Sequence, residues 1–281
     1  MQINAQTKIV GLIGDPINHS LSPAMHNAAY QALALNYLYL PFHITATDVA
    51  AAISAARALG FSGLNVTVPH KEAVFSQLDF LDRSAKRCGA VNTIVNSSGT
   101  LTGYNTDGEG FIDSLLDFGF ESRGKKAVIL GAGGSARAIA AALLEHGVTK
   151  IVLINRTVEK AEQIAELLGV KNFGIFPLLS VPADALAGAQ LVVNTLAAPF
   201  RRDDGGWLFD LTAASGALFY DLRYGKMKPD FLDYAGELKS PNLDGLGMLL
   251  HQGARAFRLF TGEEPPLEVM RKALLNESRQ G

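Results

Sequence analysis

Lys126-Ala127-Val128-Ile129-Leu130-Gly131-Ala132-Gly133-Gly134-Ser135-Ala136, followed by an alanine-rich run to Gly147 and then by Ile151-Val152-Leu153-Ile154, is the stretch that decides the fold. The first apolar run reads as a buried strand, the alanines as a helix and the β-branched run as a second strand, so a glycine turn opens a βαβ unit. In such a turn Gly131 allows the tight reversal and Gly133 lets the backbone approach a pyrophosphate. Small Ala136 lets helix and sheet pack closely, and free amides at the helix N-terminus, which the turn Gly131-Ala132-Gly133-Gly134-Ser135-Ala136 opens, face the phosphates. A dinucleotide is the expected ligand, with an ordinary glycine turn as the alternative.

The residue after the second strand selects the dinucleotide. An NAD site has Asp or Glu there, bound to the ribose hydroxyls, whereas this chain has Asn155-Arg156-Thr157. No carboxylate repels a 2′-phosphate, and a guanidinium is present that can grip one. NADP is therefore expected over NAD, unless Arg156 is a solvated loop charge.

With 281 residues the chain has room for about two domains, and a nucleotide fold beginning near residue 124 leaves more than a hundred residues ahead of it. Those are expected to form a substrate domain. Lys8 to Gly14 reads as a strand, and Ser22-Pro23 as the N-cap and first residue of a helix carrying Met25, Ala28, Ala29 and Ala32. Tyr37 to Phe42 reads as a strand, and Thr47 as the cap of a helix that stops at Leu59-Gly60. Gly63 to Val68 is a strand ended by Pro69. Val91 to Val95 and Thr100 to Tyr104, joined by Asn96-Ser97-Ser98-Gly99, read as a hairpin. Asp107 to Phe118 is the helix leading out of the domain. Beyond the glycine turn, Val158 to Leu168 reads as an amphipathic helix, Gln190 to Asn194 and Ala217 to Asp221 as buried parallel strands, and Pro241 to Gly245 as a hinge. A helix pair, Leu246 to Phe260 and Pro266 to Leu275, then returns to the first domain. The division expected is 1–106 with 246–281 for substrate and 107–245 for the nucleotide, an α/β chain throughout.

Composition excludes several classes. The chain has 25 basic and 27 acidic residues, a net charge of -2, and no basic stripe, which argues against nucleic acid. No apolar run nears the twenty or so residues that span a membrane, and Met1 to Val10 lacks signal-peptide character, so a cytoplasmic protein is expected. The single cysteine, Cys88, excludes an internal disulfide and a zinc-type cysteine cluster, and it reads as packing.

Three polar clusters lie at element ends: Ser20-Leu21-Ser22, Asn65-Val66-Thr67-Val68-Pro69-His70-Lys71 and Asn105-Thr106-Asp107-Gly108. Asn65 and Thr67 fall on one face of a strand, with Lys71 shortly after the proline, so donors and a cation point into one space. A helix start such as Ser22-Pro23 favours an anion.

With these residues assembled, the chain resembles the shikimate dehydrogenases along essentially its whole length. The resemblance is carried by Ser20 to Pro23, Asn65 to Lys71, Ala90 to Thr93, Asn105 to Gly108, Gly131 to Ala136, Asn155 to Thr157, and Gly247-Met248-Leu249 with Gln252. It implies an NADP-binding Rossmann domain beside an α/β substrate domain, with the active site in the cleft between them. It implies the reversible NADPH-dependent reduction of 3-dehydroshikimate to shikimate, a step in making chorismate and the aromatic amino acids. By the same resemblance Ser20, Ser22 and Tyr224 hold the substrate carboxylate, Asn65, Thr67, Asn92 and Gln252 hold the ring hydroxyls, and Lys71 and Asp107 handle the proton. On the cofactor side it adds Asn194, Thr195, Leu222, Gly245 and Met248. No metal is implied, and monomer and homodimer both stay open.

Two stretches depart from the family pattern. After Leu191-Val192-Val193 the run is Asn194-Thr195-Leu196-Ala197-Ala198-Pro199-Phe200, and Tyr224 is followed by Gly225-Lys226-Met227 where relatives tend to have Asn-Pro. Shikimate is expected over quinate. A relative with altered substrate range, a non-catalytic NADP-binding regulator and a tRNA-dependent reductase are the other readings; the retained Lys71 and Asp107 argue against the second, and the slightly acidic balance against the third.

Overall fold

The computed structural model describes residues 3–170, 173–225 and 229–280, and divides into two compact α/β units, 1–110 with 249–281, and 111–248. In chain order the first unit holds β1 (Lys8–Gly14), α1 (Ser22–Ala32), β2 (Tyr37–His43), α2 (Val49–Ala58), β3 (Gly63–Val66), β4 (Phe80–Leu81), α3 (Arg83–Cys88), β5 (Thr93–Ser97) and β6 (Thr100–Tyr104). Helix α4 (Asp107–Asp117) begins in this unit and ends in the next. The second unit continues with β7 (Lys126–Leu130), α5 (Gly134–Glu145), β8 (Lys150–Asn155), α6 (Val158–Leu168), β9 (Phe173–Pro177), α7 (Ala183–Leu186), β10 (Leu191–Asn194), β11 (Leu218–Asp221), α8 (Asp230–Glu237) and β12 (Asn242–Leu243). Helix α9 (Leu246–Thr261) carries the chain back, and α10 (Leu267–Gln280) packs beside α1.

The sheet of the first unit runs β2-β1-β3-β5-β6-β4, with β1, β2 and β3 parallel and β5 antiparallel to both its neighbours. Alternating side chains of β1 and β3, among them Ile13, Leu64 and Val66, meet Val49, Ile53 and Ala56 of α2 in one apolar cluster. The second sheet runs β12-β11-β10-β7-β8-β9 and is parallel throughout. Read from β7 outwards, this is the doubly wound order in which the chain starts in the middle, builds one half, then crosses back. Its strands are apolar on both faces because helices cover both. Adjacent β7 and β10 form the switch point, beyond whose carboxyl ends sheets of this order bind their ligands.

Several local expectations need correction. Ser22 is the first helical residue and not the cap; Leu21 stands at the cap and offers no side-chain bond. The buried face of α1 is Ser22, Met25, His26, Ala29 and Tyr30, with Ala32 exposed, because α1 faces an aromatic cluster. Thr47 does not cap α2; its hydroxyl meets that of Thr45, and Asp48 occupies the cap position, its carboxylate accepting from Thr45 Oγ1 and not from a helix amide. Strand β3 ends at Val66: Thr67 N still donates to Ile13 O, but Pro69 has no N–H with which to extend the ladder. The hairpin turn is the two-residue Ser98-Gly99, both with positive φ (52° and 90°), the combination that matches strand twist, and β5 starts at Thr93 and not at Val91. Asn242 and Leu243, expected within a hinge, pair in parallel with Phe219 and Tyr220 as the edge strand of the sheet. Among the described residues no helix is long and apolar enough to cross a membrane, and no three His, Cys, Asp or Glu side chains are grouped to hold a metal.

Candidate active site

Lys71 and Asp107, the pair expected to handle the proton, both lie within the first unit. Lys71 follows the bend after β3, and Val91 N donates to its carbonyl, which fixes the lysine backbone beside Asn92. Its Nζ lies 2.5 Å from Asp107 Oδ2, with the two side chains 15% and 6% exposed. Asp107 opens α4, where unpaired amides and the helix dipole favour a carboxylate. Its own N–H donates to Asn105 Oδ1, so the preceding polar residue holds the helix start in place. Cys88 packs nearby as a buried thiol, pushed up to about 11 by burial, which keeps it protonated and inert.

Asn92 organises the surroundings. Its amide donates to Asp107 Oδ1 at 2.8 Å, to Thr106 Oγ1 at 2.9 Å and, at a longer 3.4 Å, to Gln252 Oε1. Its oxygen accepts from Thr93 Oγ1 and Thr106 N. Both carboxylate oxygens of Asp107 therefore have fixed donors, while two hydrogens of the Lys71 ammonium remain for a ligand. Gln252 also donates from Nε2 to Leu249 O, one turn back on α9, which aligns its side chain along the helix.

Asn65 is 6% exposed and largely committed: Nδ2 donates to Asn92 O and Thr93 Oγ1, and Oδ1 accepts from Tyr39 OH at 2.9 Å. One lone pair on Oδ1 is its remaining capacity. Thr67 is half-buried, with its methyl group against Gly14. Ser20 Oγ accepts from Ser22 N at 3.3 Å, so the two serines form one local unit at the start of α1, and the Ser20 hydroxyl hydrogen stays free to donate. The residues not foreseen are Tyr39, Thr93 and Thr106. The two threonines stand inside the polar motifs already noted, whereas Tyr39 carries no local signal because its partner comes from a different strand.

Tyr224 belongs to the second unit and follows β11; burial pushes its hydroxyl pKa up, so it is a neutral donor. Lys226 and Met227, noted after it, lie outside the described residues. The cofactor candidates gather beyond the carboxyl ends of strands. Gly131 follows β7 with φ 109°, and a Cβ there would overlap Thr195 Oγ1, which donates to Leu130 O. At Gly133, the residue before α5, a Cβ would meet nothing within 4 Å. Gly131 is thus glycine for the fold, and Gly133 leaves backbone open at a helix N-terminus, the surface a pyrophosphate needs. Ala132 and Ala136 are buried, the latter completely, which lets α5 lie close on the sheet. Gly134 and Ser135 form the first turn of α5.

Asn155 ends β8 and donates to Thr157 O at 2.7 Å, closing a tight turn that leaves Arg156 exposed. Asn194 ends β10, fully buried, donating to Asp221 Oδ2 and accepting from Leu196 N. Leu222 N donates to Asn194 O, Gly245 N to Arg223 O, and Met248 N to Tyr220 OH. These residues fit a dinucleotide: an open glycine at a helix start and a non-acidic second turn with an exposed guanidinium.

Three family models match in succession: the shikimate dehydrogenase substrate binding domain over residues 12–94, shikimate / quinate 5-dehydrogenase over 115–215, and the shikimate 5′-dehydrogenase C-terminal domain over 245–275. A protein of Methanopyrus kandleri named shikimate dehydrogenase (NADP(+)) is 44% identical, with 99% of each chain covered. One of the same name from Moorella thermoacetica is 46% identical, covering 98% of this chain and 95% of its own. Among solved structures, the shikimate 5-dehydrogenase of Thermus thermophilus in complex with NADP(H) and shikimate superposes with a TM-score of 0.83 at 34% identity, covering 96% of this chain and 99% of that one.

Proposed function

Since the chain belongs to the shikimate dehydrogenase family, we propose that it catalyses the reversible NADP-dependent reduction of 3-dehydroshikimate to shikimate. The observation that carries the reading is the Lys71–Asp107 pair, sheltered and joined through Asn92 to Gln252. A non-catalytic nucleotide-binding protein has no need of a cation held in this way.

When bound, NADPH supplies the hydride that the ketone carbon accepts, and NADP takes it back in the reverse direction. The residues of the chain supply the rest. In reduction the Lys71 ammonium donates a proton to the former ketone oxygen and offsets its developing negative charge. Asp107 keeps that ammonium oriented, and Asn92 keeps Asp107 from turning. Asn92 and Gln252, with Asn65 and Thr67, present neutral groups to the ring hydroxyls. Ser20 and Ser22 read the carboxylate beside the amides of α1, with the Tyr224 hydroxyl as a further donor. Gly131 to Ala136 hold the pyrophosphate, and Asn155, Arg156 and Thr157 the 2′-phosphate-bearing ribose. Asn194, Thr195, Leu222, Gly245 and Met248 complete the cofactor side. We place the enzyme in the cytoplasm, acting on small molecules without a nucleic-acid or membrane partner, as a monomer or homodimer.

The test is absorbance at the reduced-nicotinamide band with shikimate or quinate as substrate and NADP or NAD as cofactor. Shikimate with NADP is expected to give the highest kcat/KM. Faster turnover of quinate would transfer the protein to the altered-range reading, and no turnover with any pair would remove the assignment.

A further inference from the structure

The loop after β10 and the loop after β11 are tied together by one side chain. Arg223 follows β11 and directly precedes Tyr224. Its guanidinium pairs with Asp221 at 2.8 Å and with Asp230 at 2.6 Å, and its Nη1 donates to Ala198 O at 3.3 Å. Asp221 is fully buried and accepts in addition from Asn194 Nδ2 and from the backbone N–H of Arg223. Asp230 opens α8 and accepts from the backbone N–H of Arg201. One planar cation therefore joins the end of β11, the loop running from Asn194 to Arg201 and the start of α8. Such a fork fixes direction as well as distance, which a flexible lysine cannot do.

We propose that Arg223 is a positioning residue for the proposed reaction. It sets the backbone from which Tyr224 projects, and through Ala198 and Asp221 it holds the cofactor-side loop begun by Asn194 in register with it. The inference rests on the reading of Tyr224 as a carboxylate donor and of Asn194 as a cofactor neighbour. Gly225 follows the tyrosine with φ 138° and supplies no restraint of its own. The ion triad holds the chain from the other side of the tyrosine.

Removing the guanidinium outright leaves the buried Asp221 carboxylate uncompensated and threatens folding. The informative variant is therefore Arg223→Lys, which keeps the charge but cannot bridge three partners, measured with Tyr224→Phe and the double variant, each checked for a cooperative thermal transition. Arg223→Lys is expected to raise KM for shikimate and KM for NADP together, each by about tenfold, the scale of one charge-assisted hydrogen bond, with kcat changed much less. Tyr224→Phe is expected to raise only the KM for shikimate, and in its background Arg223→Lys should add little to that value while still raising the KM for NADP. Arg223→Lys leaving both KM values at the parent level, with Tyr224→Phe impaired, overturns the positioning role and leaves the carboxylate reading standing. Tyr224→Phe equal to the parent overturns both. A fully multiplicative effect on the shikimate KM in the double variant also overturns the proposal, since the two side chains then act separately.

Discussion

Lys71 Nζ and Asp107 Oδ2 lie 2.5 Å apart, and the opposite carboxylate oxygen is held by Asn92 at 2.8 Å. The carboxylate is thus held from both sides, and the ammonium, having given it one hydrogen, keeps two for a ligand. Lys71→Ala is expected to lower turnover by at least about a hundredfold, the scale of general acid–base catalysis, with a far smaller change in shikimate affinity. Steady-state kinetics alongside substrate titration separates the two; turnover near the parent value with weakened binding would make Lys71 a binding residue and assign the proton to another group or to water.

Ser20 and Ser22 share a hydrogen bond at the start of α1, and the Ser20 hydroxyl keeps its own hydrogen for a ligand. Deleting a neutral donor to a carboxylate costs about 1.5 to 3 kcal/mol. Ser20→Ala should weaken shikimate binding by that amount, and the methyl ester of shikimate should show a smaller loss between parent and variant. Equal losses for acid and ester would place the contact elsewhere.

The Asn155 to Thr157 turn leaves Arg156 exposed at the end of β8. Arg156→Ala is expected to weaken NADP binding by about tenfold or more and to leave NAD binding nearly unchanged, because only NADP carries the 2′-phosphate. Calorimetric titration with both cofactors reads this directly. A parallel loss for the two would mean that Arg156 meets a part of the molecule common to both.

His26 is 1% exposed, stacks on Tyr39 at 4.3 Å, and neither ring nitrogen has a hydrogen-bond partner. Burial lowers its pKa from 6.5 to about 3. Between those values the unfolded chain binds a proton that the folded chain refuses, so this contribution to stability is complete above pH 6.5 and falls as pH drops towards 3. Inside the window the loss is on the order of 1.4 kcal/mol per pH unit. Urea unfolding at pH 7, 6 and 5 should show a steeper fall for the parent than for His26→Phe. Parallel curves would remove His26 from the acid response.

The nucleotide unit was readable from sequence because its evidence is local. The turn from Gly131 to Ala136 sits between a strand and a helix that its own residues specify, and the parallel order follows from the βαβ unit. The substrate unit was readable in outline and less so in detail. Ser22 looks like a cap because Ser-Pro is a helix start, but which of two neighbouring residues turns first depends on how α1 is seated. Helix α3 went unread although Asp82 accepts from Ser84 N and Gly89 ends it at φ 61°, since six residues are too few to show a period. Asn242 and Leu243 form a strand only because Phe219 and Tyr220 offer them an edge. The commitment of Asn65 to Tyr39, Asn92 and Thr93 is tertiary in every bond, and no spacing in the chain announces it.

The chain passes between its two units inside helices: after Gly110 within α4, and before Leu249 within α9. Asp107 lies one turn before the first passage, and Gln252 one turn beyond the second. Any chimera that exchanges residues 111–248 for another nucleotide-binding module must therefore be spliced in mid-helix. A junction wrong by one residue rotates everything past it by about 100°. Changing the second unit of this protein by recombination at those seams would put at risk the carboxylate paired with Lys71, whereas point changes in the turn from Asn155 to Thr157 would leave it untouched.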